Sequence, residues 1–125
     1  MELKSQKYRI SLPSFYHQND KKKNGYIYVV KIGEYVKVGR AKNLDNRLKV
    51  YKSFPPFAYE LLLSKKVEDC YFFERAIQKC LLEYQIKGEW FELPTQWTKN
   101  PKKGACDILK YVEKQVKLQI LWKKT

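Results

Sequence analysis

Four side chains in the sequence could together perform chemistry on a phosphodiester: Tyr28, Lys37, Arg47 and Glu74. A phenol titrates near ~10, and a neighbouring ammonium such as that of Lys37 favours the phenolate form, which can act as a base. A guanidinium can bind phosphate oxygens through two hydrogen bonds, and a carboxylate can hold a hard cation such as Mg²⁺. Taken singly, a strand tyrosine is more often half-buried and charged residues are more often solvated. Their order along the chain, together with the short motifs around them, favours a phosphate-sized site.

A β-hairpin over residues 25–40 is expected to position the first two of these residues. Its strands are β-branched and aromatic, and Gly33 can supply the positive φ of a two-residue type II′ turn. In that register Tyr28 lies opposite Gly39, which leaves open space over the phenol, and Lys37 is a diagonal neighbour of Tyr28 on the same face. A three-residue turn would send Lys37 to the other face. The site hypothesis therefore depends on the turn.

The other two candidate residues fall on predicted helices. Asn43 can cap a helix that runs through residue 52 and carries Arg47 at its edge. Asp69 can cap a longer helix to about residue 84, in which Glu74 lies at the margin of the apolar face. From that margin the carboxylate could reach the surface of the sheet.

The predicted fold is α+β, with a small antiparallel three-stranded sheet flanked by helices and followed by a C-terminal helix. The third strand is predicted over residues 58–67, where the central leucines are apolar on both faces. A short strand or docking turn is expected over 89–93, and the last helix over 105–121. The predicted organisation is a basic arm over 1–24, an α/β domain over 25–98 and a basic helical extension over 99–125.

Residues 25–93 resemble the GIY-YIG nuclease superfamily. The elements that carry this resemblance are Tyr26-Ile27-Tyr28, then Lys37-Val38-Gly39, then Arg47 and Glu74 on successive helices. Within the superfamily the chain is most similar to phage-encoded DNA-binding domains, through positions 35–40 and 88–93. Lys37 stands where the second tyrosine is usual, as it does in some restriction enzymes of the superfamily.

The resemblance implies a DNA-binding, divalent-metal-dependent endonuclease that hydrolyses phosphodiester bonds. In that reading Tyr28 activates water, Lys37 and Arg47 stabilise phosphate charge, and Glu74 holds one Mg²⁺ or Mn²⁺ ion. Tyr51 joins the implied catalytic set because it stands where many members have histidine. The alternative is a non-catalytic DNA-binding module that keeps the fold. A purely structural or protein-interaction role is disfavoured by the charge of the chain.

The formal net charge is +13, and most of it lies at the two ends of the chain. Residues 1–24 and 99–125 together hold fourteen basic and four acidic side chains. Such an excess attracts a polyanion and releases counterions from a phosphate backbone, so nucleic acid is the leading partner class, and the resemblance implies DNA. The alternatives are a lysine-rich surface that only keeps the protein soluble and, less favoured, an anionic membrane surface. The predicted nucleic-acid-binding residues are Arg40, Lys42, Lys49, Lys21, Lys22, Lys23, Lys102 and Lys103.

The rest of the composition excludes several other classes of function. The three cysteines lack a C-x-x-C spacing, so neither a disulfide framework nor a zinc site is indicated. A single histidine, His17, excludes mechanisms that need paired histidines. No apolar run is long enough to span a bilayer, and the first residues lack a signal peptide. We therefore expect an intracellular protein, not secreted, with no membrane partner and no small organic cofactor.

Overall fold

The computed structural model describes residues 24–52 and 58–124, with side chains described as far as Leu118. Its principal elements are the strands β1 (Gly25–Ile32), β2 (Tyr35–Ala41), β3 (Tyr59–Val67), β4 (Gln85–Lys87) and β5 (Trp90–Glu92), and the helices α1 (Leu44–Tyr51), α2 (Cys70–Cys80) and α3 (Pro101–Lys124). Two short 3-10 turns, Leu82–Tyr84 and Thr95–Trp97, follow α2 and β5. The fold is α+β.

The sheet has five strands in the order β3-β1-β2-β5-β4, and every neighbouring pair is antiparallel. The prediction of a three-stranded sheet is therefore wrong. The two additional strands form a second hairpin whose turn contains Gly88 at a φ of 58°. Each of these strands has only three residues, and all of β4 is exposed, so neither gives an alternating hydrophobic pattern.

The predicted register of the first hairpin is confirmed. Tyr28 pairs with Gly39, and Lys37 belongs to the pair next to it on the same face. Gly33 has a φ of 61°, and no described residue other than glycine has a positive φ, which agrees with a type II′ turn. Asn43 also caps its helix as predicted, since its side chain accepts a hydrogen bond from the amide of Asn46 at 3.0 Å.

The alternation of side chains along β1 divides the core into two layers. Ile27 and Val29 face α2 and α3, in a cluster that includes Trp97 and Ile108. Tyr28, Val30 and Ile32 face the other way and pack with Tyr51 of α1. Helix α3 begins at Pro101, four residues earlier than predicted, because Asn100 accepts a hydrogen bond from the amide of Lys103 and caps it.

Within the described part of the chain, we find no helix with the length and apolar character needed to cross a membrane.

Candidate phosphate-binding site

Two buried tyrosines form the floor of the candidate site. The hydroxyl groups of Tyr28 and Tyr51 are 2.9 Å apart, and their rings meet edge to face with centroids 6.0 Å apart. Tyr28 is fully buried in β1, an interior strand of the sheet, and Tyr51 is 2% exposed at the end of α1. The pair therefore joins the sheet to α1 through one hydrogen bond in a dry environment.

Gly39 makes room for this arrangement on the neighbouring strand. A Cβ atom at that position would lie 2.5 Å from both the Cζ and the hydroxyl oxygen of Tyr28. The expectation that Gly39 leaves open space over the phenol is therefore wrong, because the phenol itself occupies that space. A glycine is required there by the close approach of the ring.

Lys37 lies beside the tyrosine pair on the same face of the sheet. Its ammonium is 5.5 Å from the ring centroid of Tyr51 and 5.8 Å from that of Trp90, and 3.6 Å from the Glu89 carboxylate. The side chain is 19% exposed, so the charge lies at the rim of the aromatic cluster, within reach of solvent. Two rings and a carboxylate hold it in one position.

Arg47 completes the cationic rim from α1. It is exposed, and it lies one helical turn before Tyr51, so the two side chains lie on the same side of the helix. Its charge lowers the pKa values of both Tyr28 and Tyr51, as expected of a guanidinium one helical turn from Tyr51. Four of the predicted residues, Tyr28, Lys37, Arg47 and Tyr51, are therefore brought together.

Lys37 lowers the pKa of Tyr28 as expected, but the net shift of that pKa is upward. Burial raises the pKa of Tyr28 well above its usual value, and the hydrogen bond with Tyr51 raises it further. Lys37 and Arg47 act in the opposite direction with smaller effects. The expectation took account of the neighbouring cation, which lowers the pKa, but not of the loss of hydration around a fully buried phenol, which raises it more.

Glu74 lies in the layer on the other face of the sheet, where its carboxylate accepts a hydrogen bond from the Arg40 guanidinium. The Glu74 side chain is 4% exposed and that of Arg40 is 40% exposed. Arg40 also lies over the ring of Tyr71, 4.3 Å from its centroid. The expected convergence of Glu74 with the tyrosine face is therefore not seen, although Lys37 is close enough to affect its pKa.

The surroundings of Glu74 do not suit a metal ion. Burial raises the pKa of the Glu74 carboxyl, and Arg40 offsets only part of that rise. A Mg²⁺ site needs one or two carboxylates that are free to coordinate, whereas this carboxylate is already neutralised by a guanidinium. Among the described residues there is no group of three or more His, Cys, Asp and Glu side chains that could hold a metal.

The model of the T5orf172 domain family matches residues 25–116, from the first strand to the second half of α3. The chain belongs to the T5orf172 domain family. No curated protein and no solved structure matches it. Within this T5orf172 domain, the resemblance to the GIY-YIG nucleases stays a prediction.

The other predicted DNA-binding residues of this T5orf172 domain are spread over different surfaces. Lys42 is exposed just before the N-cap of α1, and Lys49 is exposed in its last turn. Lys102 and Lys103 are exposed on the first turn of α3, in the other layer, and Lys103 forms an ion pair with Asp107 at 2.9 Å. The run of lysines at 21–23 lies outside the described residues.

Trp90 and Phe91, neighbours in β5, lie in different layers of the core. Phe91 is fully buried in the layer of α2 and α3, whereas Trp90 is half-buried on the opposite face beside Lys37. The signal that could have shown this is the pairing of β5 with β2, because side chains alternate along a strand. Three residues are too few for that alternation to be read from sequence.

Proposed function

We propose that this T5orf172 domain binds DNA and that one backbone phosphate lies against Lys37 and Arg47, above the Tyr28 and Tyr51 pair. The observation that carries the proposal is the position of two cations from different elements at the rim of one aromatic floor. Lys37 offers a fixed point charge, and Arg47 offers a planar donor set that matches two phosphate oxygens. The net charge of +13 supports a polyanionic partner.

Binding is better supported than hydrolysis by the electrostatics of the tyrosine floor. A base must lose its proton near the working pH, and burial moves the pKa of Tyr28 in the unhelpful direction. The Glu74 carboxylate already forms an ion pair with the Arg40 guanidinium. Burial therefore disfavours the deprotonated form of Tyr28, and the ion pair with Arg40 competes with metal coordination by Glu74.

Phosphodiester hydrolysis is the second candidate function. The observation that favours it is the confirmed hairpin register, which brings Tyr28 and Lys37 together on one face as the GIY-YIG resemblance implies. Arg47 lies on the same side. This arrangement is the part of the implied catalytic set that converges.

Salt-dependent DNA binding by single variants tests the proposed phosphate site. Each lost phosphate contact flattens the slope of log affinity against log salt by about 0.9 on duplex DNA. We expect Arg47→Gln and Lys37→Gln each to flatten it by about one, in fluorescence anisotropy with a labelled duplex. Lys31→Gln is the matched control, since it removes one charge from a strand position on the other face of the sheet. Equal effects of all three variants would show that only net charge matters.

Nicking of supercoiled plasmid in Mg²⁺ or Mn²⁺ separates the two candidate functions. Nicking by the wild type that is absent in Tyr28→Phe would establish hydrolysis at this site. Persistence of the same nicking in Tyr28→Phe would indicate a contaminating nuclease. DNA binding without nicking in either ion would leave binding as the function.

A further inference from the structure

Helix α3 carries a stripe of lysines on its outer side. Lys103, Lys110, Lys114 and Lys117 are all exposed. At 3.6 residues per turn, the four positions fall within a sector of about 60° around the helix axis. We call this set the α3 lysine stripe.

The stripe lies diametrically opposite the side of α3 that enters the core. Ala105, Ile108, Val112 and Val116 are at most 5% exposed and pack in the layer with α2. The stripe extends about 21 Å along the helix at 1.5 Å per residue. The lysines are therefore presented to solvent in a straight row, away from the sheet.

Most of the charge of the stripe is uncompensated. Lys103 forms an ion pair with Asp107, whereas Lys110, Lys114 and Lys117 form none with any described residue. The remaining acidic residue on the described part of α3, Glu113, forms an ion pair with Lys65 of β3 at 2.6 Å. An ordinary solvated helix surface mixes the two signs of charge, whereas among the described residues Asp107 alone forms an ion pair with this stripe.

The stripe and the candidate phosphate site are on opposite sides of the molecule. Tyr28 and Tyr51 lie in the layer between the sheet and α1, and α3 packs on the other face of the sheet. The sheet and a helix on each of its faces separate the two surfaces, and each helix with its side chains is about 10–12 Å across. A straight duplex lying on one surface therefore cannot reach the other.

We propose that the α3 lysine stripe is a second DNA-binding surface, so that one molecule holds two duplex segments on opposite sides of its sheet. Duplex DNA carries one charge per about 1.7 Å of axis, so a row of about 21 Å runs past roughly a dozen phosphates. Lysine ammonium groups on flexible stems bind such a backbone without reading bases. The proposal rests on the proposed function, which supplies both DNA as the ligand and the first of the two surfaces.

The salt dependence of binding by the full chain tests the surface itself. We expect Lys110→Gln/Lys114→Gln to flatten the slope of log affinity against log salt by about two. Lys110→Arg/Lys114→Arg keeps both charges and should leave the slope unchanged. Lys31→Gln/Lys87→Gln removes the same charge from two strands. If this control flattens the slope equally, the proposal that the stripe binds DNA is overturned.

Capture of a second duplex tests the bridging. Protein bound to a duplex on beads should retain a second, fluorescent duplex, and both Lys110→Gln/Lys114→Gln and Arg47→Gln should lose that capture while still binding the first duplex. Undiminished capture by the stripe variant would overturn the proposal. The proposal is also overturned if Lys110→Gln/Lys114→Gln loses binding to phosphatidylserine vesicles but keeps the wild-type salt slope on DNA. If Arg47→Gln keeps the wild-type salt slope while Lys110→Gln/Lys114→Gln has a flatter one, DNA binding by the stripe is supported and the proposed phosphate site is refuted.

Discussion

Replacing Arg40 with glutamine would leave the Glu74 carboxylate without its ionic partner in a buried position. Glu74 is 4% exposed, so the carboxylate cannot exchange the lost guanidinium for water without a local rearrangement. Removing one partner of a buried ion pair costs about 3–5 kcal/mol. Because the Arg40 side chain is itself 40% exposed, we expect the lower end, about 3 kcal/mol at neutral pH.

The loss of stability in Arg40→Gln should depend on pH. Burial raises the pKa of Glu74 in the folded protein above its ordinary value of 4.5, and Arg40 limits that rise. Without Arg40 the folded pKa rises further. A carboxyl with a raised folded pKa contributes stability that is present below the unfolded pKa and lost as pH rises through the folded pKa. The deficit of the variant should therefore be largest at neutral pH and shrink as pH falls toward 4.5.

Urea unfolding of wild type and Arg40→Gln between pH 4.5 and 8 measures this deficit directly. Other titrating groups are common to both proteins, so the difference between them isolates Glu74. Glu74→Gln is the matched control: it leaves a partly exposed Arg40, which should cost about 1 kcal/mol as for a surface pair, with little dependence on pH. A deficit for Arg40→Gln that is equal at pH 5 and pH 7.5 would refute this account of the ion pair.

Three further substitutions test the packing around the tyrosine floor and α3. Gly104→Ala should lower the melting temperature although alanine favours helices by about 1 kcal/mol, because the new Cβ overlaps the buried ring of Trp97. Gly39→Ala should destabilise the fold by about 1–3 kcal/mol, since its Cβ would lie 2.5 Å from Tyr28, and should weaken DNA binding as the floor moves. Tyr51→Phe should cost about 1–3 kcal/mol by leaving the Tyr28 hydroxyl buried without that partner, and the double phenylalanine variant should cost less than the sum of the single ones. Thermal unfolding measures all three, and a Gly104→Ala protein more stable than wild type would contradict the packing.

The first hairpin and the caps of α1 and α2 could be predicted because their causes are local. A glycine at the first turn position sets the register, and with it the face on which Tyr28 and Lys37 lie. The cap of α2 follows in the same way from Asp69, which accepts a hydrogen bond from the amide of Phe72 at 3.0 Å. In each case a few neighbouring residues contain the whole reason.

The width of the sheet could not be predicted because its causes are not local. Ile86 is 52% exposed in β4, so its strand carries no apolar face that would reveal it. Helix α2 ends at Cys80, short of the predicted end near 84, because the backbone leaves helical geometry at Leu81 and the chain turns toward β4. This segment joins the sheet because β4 pairs with β5 and β5 pairs with β2, more than fifty residues earlier in the chain.

The partner of Glu74 follows from strand parity once the sheet is known. Lys37 and Arg40 are three residues apart on β2, so their side chains point to opposite faces, and only Arg40 faces the helix that carries Glu74. A site that needs both Lys37 and Glu74 must therefore be joined around an edge of the sheet.

On β2, such an open edge begins beyond Lys37. The pairing of β2 with β5 covers Tyr35 to Lys37, whereas from Gly39 to Ala41 the described residues pair β2 with β1 alone. Arg40 lies in this open stretch and holds the Glu74 carboxylate on the far side. If the carboxylate ever reaches the tyrosine face, it must first leave Arg40, and an arriving phosphate is the kind of ligand that competes for a guanidinium. Any hydrolytic activity of the domain would therefore depend on Arg40 as much as on Tyr28.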